Sequence, residues 1–326
     1  MATEIHTAPR ITSVAVRAGS PAGGHYRSGR ENAARAPGFS AHTGLNLHNF
    51  GGKTIESLTF HNVYVGGYAA WSIDDVNKID ASLAAAMTDA HLNNVLAQYY
   101  RDGSPTTTFK GSRELPGPVP SHVYRDTVES FVAGLDQRNA LHGFDLGSTV
   151  FCFMLPRGVV LVDGDKGSAH HSANLALRER DEAADSKHGL GGFHGSVHAK
   201  HGGKTDTVYY AVGVYSEGSN GIVAFDQPWK NICATFYHEL CEARTDADVE
   251  DAIRAGNSPN ANSFLGWYSP RGGEIGDIPI EEAGPDIELV MKEVPLVRGG
   301  TAPIQLMWSN AVGGPEGPIA KRHPSV

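Results

Sequence analysis

The stretch YHELCEARTDAD, residues 237–248, lies inside a segment whose apolar spacing predicts a long helix from about Trp229 to Gly256. On a helix, His238 and Glu242 are four residues apart and project from the same face, one turn above the other. This geometry lets both side chains hold one cation. Glu239 follows the first of them, where a carboxylate can act as a general base toward a water molecule.

Histidine and carboxylate are both accepted zinc ligands, so this pair predicts a Zn²⁺ site. The negative charge of Glu242 makes the metal a weaker Lewis acid and widens the choice toward other divalent ions. The alternative is an ordinary helix that carries two glutamates after a histidine. Carboxylates that follow at Asp246 and Asp248 favour the metal site.

A third ligand has to come from outside this pair, and two candidates remain open. The Gly-flanked sequence GGEIGD, residues 272–277, offers Glu274, with Asp277 three residues later. Asp248 is the rival, because it stands ten residues after His238, where the metzincin class of zinc peptidases has its third ligand. Metzincins bend the chain at a glycine three residues after the second ligand, and Thr245 stands at that place here, so we favour Glu274.

Composition limits the class of protein. The chain has 326 residues, of which 40% are hydrophobic, and can bury a substantial core. Its net charge of -9 argues against nucleic acid as a partner. No apolar run reaches the roughly 20 residues of a membrane span. The three cysteines form no paired spacing, so we expect no disulfide framework and at least one free thiol.

The organisation along the chain predicts an α+β fold, with a mixed sheet packed on long helices. Residues 1–50 show no sustained period and are expected to form an extended or flexible arm. Residues 51–326 are expected to form a single domain with a soft boundary near 257. No signal peptide is recognisable, which predicts a cytoplasmic protein as the sequence stands, or a secreted one if a leader has been removed.

Individual segments give more specific expectations. Residues 76–100 place apolar side chains on one helical face, and residues 122–141 predict a second helix. Residues 148–162 are dense in β-branched and aromatic residues and predict a buried strand interrupted at Pro156. Residues 205–215 alternate and predict another strand, whereas the region after the 237–248 helix is rich in Gly, Pro, Asn and Ser and predicts irregular structure.

Two histidines lie just before that alternating strand. His194 and His198 belong to a Gly-rich stretch and are candidates for polarising a substrate carbonyl or steadying an oxyanion. A solvated, histidine-rich loop is the alternative interpretation.

The motifs also resemble known families. HELCEARTD, residues 238–246, resembles the metal-binding helix of thermolysin-like zinc peptidases with its second histidine replaced, and GGEIGDI resembles their segment that carries the third ligand. The wider order of motifs resembles the EXORDIUM-like, phosphate-induced proteins of plants and their bacterial relatives. The matching pieces cover roughly residues 55–312 and are VYVGGYAAW, LAQYY, FMLPRGVV, GGFHGSVH, VYYAVGVY, HELCEARTD, GWYSPRGGEIGD and LMWSN.

The resemblance implies a zincin-like domain in which His238 and Glu242 bind the metal and Glu239 is the base. Glu274 would be the third ligand, or Asp277 would hold His238 in its tautomer. Relatives tend to have a proline after the Thr-Asp pair and a cysteine after Glu-Ile-Gly-Asp, whereas Ala247 and Ile278 occupy those places here.

We therefore expect a zinc-dependent hydrolase that acts on a peptide or small-molecule substrate, most simply a peptidase or amidase. The alternatives are a non-catalytic binding or signalling protein with a structural or absent metal, and a metal-dependent ester or lactone hydrolase. The sequence gives no indication of the oligomeric state.

Overall fold

A five-stranded mixed sheet with helices on both faces organises the chain, as seen in a computed structural model that describes residues 35–101, 105–166, 184–201, 204–256 and 258–326. Residues 1–34, most of the predicted arm, lie outside the described residues. In chain order the strands are β1 His48–Asn49, β2 Ser57–Val65, β3 Thr106–Leu115, β4 His122–Val123, β5 Thr149–Leu155, β6 Val160–Leu161, β7 Gly192–His201, β8 Lys204–Val214, β9 Trp267–Tyr268, β10 Met291–Pro295, β11 Thr301–Gln305, β12 Met307–Ser309 and β13 Gly314–Glu316.

Six α-helices accompany these strands in the described residues, which makes the fold α+β as expected. They are α1 Ile73–Met87, α2 Ala90–Leu96, α3 Arg125–Gln137, α4 Pro228–Thr245, α5 Val249–Ala255 and α6 Asp277–Ala283.

The strand order in the main sheet is β3-β2-β5-β8-β7. Neighbouring strands are parallel except β7, which runs antiparallel to β8 at one edge and pairs His194 with Ala211. All seven residues of β5 are buried, which agrees with its β-branched and aromatic composition and with the predicted break at Pro156. His194 is therefore on an edge strand, and the loop interpretation of this stretch is wrong.

The two faces of the sheet pack against different helices. On one face, Ile79 of α1 and Phe236 of α4 share a core with Phe60 and Cys152 of the sheet. On the opposite face, α3 packs through side chains such as Val128 against the alternate residues of the same strands. The core beside α4 also includes residues from Leu47 to Ile319, so segments near both ends of the described chain surround that helix.

Two predicted helices are each divided by a short break. The first was expected to be continuous over residues 76–100, but it ends at Met87, and Asp89 caps a new helix by accepting hydrogen bonds from the amides of His91 and Leu92, at 2.9 and 3.1 Å. The helix expected to reach Gly256 ends at Thr245, and α5 begins after a bend at residues 246–248. This bend turns Asp248 away from the direction of α4.

Helix α4 is central and not a surface helix. Every residue from Asn231 to Thr245 is buried, including His238 and Glu242. An exposed helix would place these carboxylates in water, whereas here both are buried.

Other expectations concern the thiols and the membrane. The three cysteines are free and buried, as the odd count predicts. Within the described part of the chain, no helix combines the length and the apolar character needed to cross a bilayer.

Candidate metal centre

Seven ionisable side chains meet in the interior between α4, the edge strand β7 and the C-terminal segments. None of them is more than 5% exposed. They come from three stretches of the chain, and they are His194, His238, Glu239, Glu242, Asp246, Glu274 and Asp277. We call this set the buried cluster. Buried charges are normally paired or bound to a metal, so a set of this composition calls for a counter-ion.

The His238 imidazole is held in one tautomer by Gln305 at the end of β11. The Gln305 amide nitrogen donates to the carbonyl of Gly276 at 2.6 Å, so its Oε1 faces His238 and accepts from Nδ1 at 2.9 Å. The proton therefore resides on Nδ1. The lone pair of Nε2 then points at Glu242 Oε2, which is 3.0 Å away and can only accept when ionised.

His194 is oriented in a similar way from the opposite side. Its Nε2 contacts the carbonyl oxygen of Asp246 at 3.2 Å, and because a carbonyl only accepts, this nitrogen carries the proton. Nδ1 then faces Glu239 Oε2 at 3.5 Å and Glu242 Oε2 at 3.7 Å. Both histidines thus direct a lone pair toward carboxylate oxygens, an arrangement that is repulsive unless a cation or an added proton lies between them.

Glu242 is fixed by the backbone of the GGEIGD segment. Its Oε1 accepts from the amides of Gly276 and Asp277, each at 3.1 Å, which leaves Oε2 directed at the two histidines. Gly276 can approach this closely because it has no side chain. A Cβ at this position would lie 2.4 Å from His238 Nδ1.

Several atoms of the cluster have no hydrogen-bond partner although they are fully buried. They are His238 Nε2, Glu239 Oε1, Asp246 Oδ2 and Glu274 Oε1. All four can act as metal ligands. Two trios bring their ligand atoms within 4.8 Å of one another, namely His238, Glu239 and Glu242, and His194, Glu242 and Glu274. Nitrogen and oxygen donors at this spacing fit a divalent ion such as Zn²⁺.

The pKa values of the cluster are shifted in the direction that favours bound protons or another positive charge. Burial lowers the pKa of His238, but the neighbouring Glu242 carboxylate outweighs it and raises that pKa to about 10. Burial and the repulsion of Glu242 raise the pKa of Glu274 and Asp277 well above the ordinary range. Burial also raises the pKa of Asp246 to about 7. Without a metal, the cluster therefore retains protons that a bound cation would displace.

Some predicted site residues lie elsewhere or contact other partners. His198, four residues after His194 on β7, bonds Asp251 at 2.8 Å and Thr207 at 3.1 Å and is partly exposed. Asp248 accepts from the Tyr209 hydroxyl at 2.9 Å. Asp277 approaches Nε2 of His238, at 3.9 Å, and not Nδ1, so the tautomer-holding partner is Gln305.

Sequence reasoning did not find Gln305 or Gly276. A weak signal existed for Gln305, since it is the single polar residue in the apolar run APIQLMW, residues 302–308. A polar side chain within a buried strand requires a partner, and here the partner is an imidazole 67 positions away in sequence.

No family model matches the chain, and no curated protein matches it.

Proposed function

We propose that the protein is a zinc-dependent hydrolase on a zincin-like scaffold, with a peptide or another amide as the simplest substrate. The observation that supports this most directly is the His238 imidazole, whose Nε2 has no hydrogen-bond partner and faces Glu242 Oε2 at 3.0 Å. This nitrogen and this oxygen would hold the ion, whereas Glu274 groups with His194 and Glu242 in a separate trio.

When bound, a divalent ion polarises a carbonyl oxygen and lowers the pKa of a coordinated water from about 15.7 toward about 7. Glu239 is the base in this proposal. Its Oε1 is buried without a partner, and its Oε2 is held near His194 Nδ1 at 3.5 Å. Burial raises the pKa of the Glu239 carboxyl, which suits a group that takes a proton from water and passes it to a leaving amine.

The replacement Glu239→Gln tests this role. We expect the variant to retain its metal and to lose at least a hundredfold in turnover, the lower range of general-base catalysis at about 10²-fold. Activity would be followed on a quenched-fluorescent peptide library and on p-nitrophenyl esters and lactones, which also separates amide from ester hydrolysis. Glu129→Gln is the matched control, because Glu129 is 47% exposed and contacts Arg254 instead of the cluster. Full turnover in the Glu239→Gln variant would remove the proposed mechanism.

A second candidate function, a non-catalytic protein with a structural ion, is favoured by the burial of the cluster. Glu239, Glu274 and His238 are at most 1% exposed, so a substrate reaches them only after the covering segments move. If chelation lowers the melting temperature while no substrate of either class is turned over, the structural role is supported.

A further inference from the structure

We infer that the buried cluster binds two divalent cations, one at each histidine, with Glu242 shared between them. The inference rests on the proposed metal site but goes beyond it, since a hydrolase of this kind needs only one ion. Three observations support the inference: the separation of the two histidines, the charge of the cluster and the positions of its unpartnered atoms.

The two histidines belong to different ligand groups. Among the described residues, the trios whose ligand atoms lie within 4.8 Å of one another are His238 with Glu239 and Glu242, and His194 with Glu242 and Glu274. Neither trio contains both imidazoles, and Glu242 is common to the two. Because ligands of one ion lie closer together than this limit, a single ion would use one histidine and leave the other facing a carboxylate.

Each imidazole has its own orienting partner. Gln305 fixes the proton of His238 on Nδ1, and the carbonyl of Asp246 fixes the proton of His194 on Nε2. Metal-binding histidines are typically held by a hydrogen bond to the second ring nitrogen in this manner. Two separately oriented lone pairs therefore predict two metal–nitrogen bonds.

Charge gives an independent reason for a second ion. The cluster has five carboxylates, from Glu239, Glu242, Asp246, Glu274 and Asp277. Within the part of the chain that the structure describes, their ion-pair partners within 4.0 Å are the two histidines alone. A cation at each histidine would take the place of the protons that otherwise compensate these carboxylates.

The unpartnered atoms are distributed over both positions. His238 and Glu239, with unpartnered Nε2 and Oε1, belong to the first trio, and Asp277 Oδ1 stands 3.9 Å from His238 Nε2. Glu274, with unpartnered Oε1, belongs to the second trio, and Asp246, whose carbonyl orients His194, has an unpartnered Oδ2. Inward-facing glutamate and histidine side chains of this composition are the ligands of di-metal carboxylate proteins.

Metal counting on the intact protein tests the inference. The full chain would be stripped with a chelator, titrated with Zn²⁺, and analysed for bound zinc by mass spectrometry after desalting. We expect two equivalents per chain, and one equivalent in each of the variants His194→Gln and His238→Gln. His198→Gln is the matched control on the same strand and should retain two equivalents, since His198 pairs with Asp251.

Wild-type protein loaded with Mn²⁺ gives a readout that does not depend on any variant folding. Two ions that share a carboxylate should give an exchange-broadened electron paramagnetic resonance spectrum, whereas one isolated ion gives six sharp lines. One zinc equivalent and six lines would overturn the second ion while leaving the proposed hydrolase intact. No bound zinc in a folded chain would overturn both the inference and the proposed function.

Discussion

The imidazole of His238 and the side-chain amide of Gln305 form a hydrogen bond of 2.9 Å between two segments that are 67 residues apart. Both side chains are fully buried. The bond fixes a proton on Nδ1 of His238. In the proposed metal site, α4 would supply the ligand atom Nε2 and β11 would set its direction.

Replacing Gln305 by Leu should therefore weaken metal binding. Loss of a hydrogen bond to a metal-binding histidine typically lowers metal affinity ~10- to 100-fold. We expect a reduction of this size in Zn²⁺ affinity, measured by competition with a chromophoric chelator.

Gln98→Leu is the matched control for this experiment. Gln98 is also a fully buried glutamine, but its amide contacts Ser309 and the carbonyl of Val95. Both variants should lose stability, because each leaves buried polar groups without partners at a cost of about 1–3 kcal/mol. Equal zinc affinity in the two variants would show that Gln305 does not position His238.

Adding a methyl group at Gly276 should disrupt the cluster directly. A Cβ there would lie 2.4 Å from His238 Nδ1 and 2.9 Å from Glu242 Oε1, which are far below contact distance. We expect Gly276→Ala to lower the Zn²⁺ stoichiometry, with near-native circular dichroism. Gly44→Ala is the control, since its Cβ would meet nothing closer than 3.8 Å. Unchanged zinc content in Gly276→Ala would indicate that His238 is not a ligand.

The pairing of His238 with Glu242 follows from local spacing, and the motifs already make Glu274 and His194 candidates, whereas Gln305 and Gly276 could not be predicted. Four-residue spacing on a helix places His238 and Glu242 together whatever the rest of the fold does. Gln305 and Gly276 enter through contacts between distant segments, and periodicity contains no information about them. The sequence does not predict the burial of α4 either, because its charged residues are typical of a surface helix.

The errors in secondary structure have a similar physical origin. A single helix was predicted over residues 76–100 because the apolar spacing continues past Thr88. Asp89 nevertheless caps a second helix, and its side chain also accepts from the amide of Val297 at 2.7 Å, a tertiary contact. A solvated, histidine-rich loop is the alternative interpretation of the stretch that forms β7, and the structure contradicts it. Pairing with β8 along ten residues overrides the local preference of its glycines for a loop.

The edge of β7 should be a further determinant of stability. Glu250 on α5 accepts from the Ser196 amide at 2.7 Å and the Tyr210 hydroxyl at 3.1 Å, and it pairs with Arg125 at 3.4 Å. Because Glu250 is 2% exposed, Glu250→Ala would leave the buried Ser196 and Tyr210 donors without an acceptor, while Arg125 keeps Asp163. We expect a loss of about 1–3 kcal/mol per unsatisfied donor in the free energy of unfolding, measured with urea.

Glu129→Ala is the matched control for that prediction. Glu129 and Glu250 both contact the Arg254 guanidinium at 3.0 Å, but the Glu129 side chain is 47% exposed. Exposed ion pairs contribute about 0–1 kcal/mol, so this variant should remain close to wild type. Similar losses in the two variants would mean that Glu250 does not compensate buried groups at the edge of β7.

Stability should also depend on pH through His61 on β2, which is separate from the buried cluster. His61 is 4% exposed, donates from Nδ1 to the carbonyl of Lys110 at 3.0 Å and packs against the ring of Phe144 at 5.0 Å. Burial lowers its pKa below the ordinary 6.5. The unfolded chain then binds more protons than the folded chain between these two pKa values, and the contribution of His61 to stability is lost as the pH falls below 6.5.

The variant His61→Asn should remove this dependence. We expect the difference in unfolding free energy between wild type and the variant to shrink as the pH is lowered from 7.5 to about 5, because only the wild type is penalised by protonation. Urea titrations at several pH values measure it. The same replacement at exposed His142 is the control and should leave the slope as in wild type, because that side chain is in water before and after unfolding. A difference that stays constant with pH would show that His61 binds protons equally in both states.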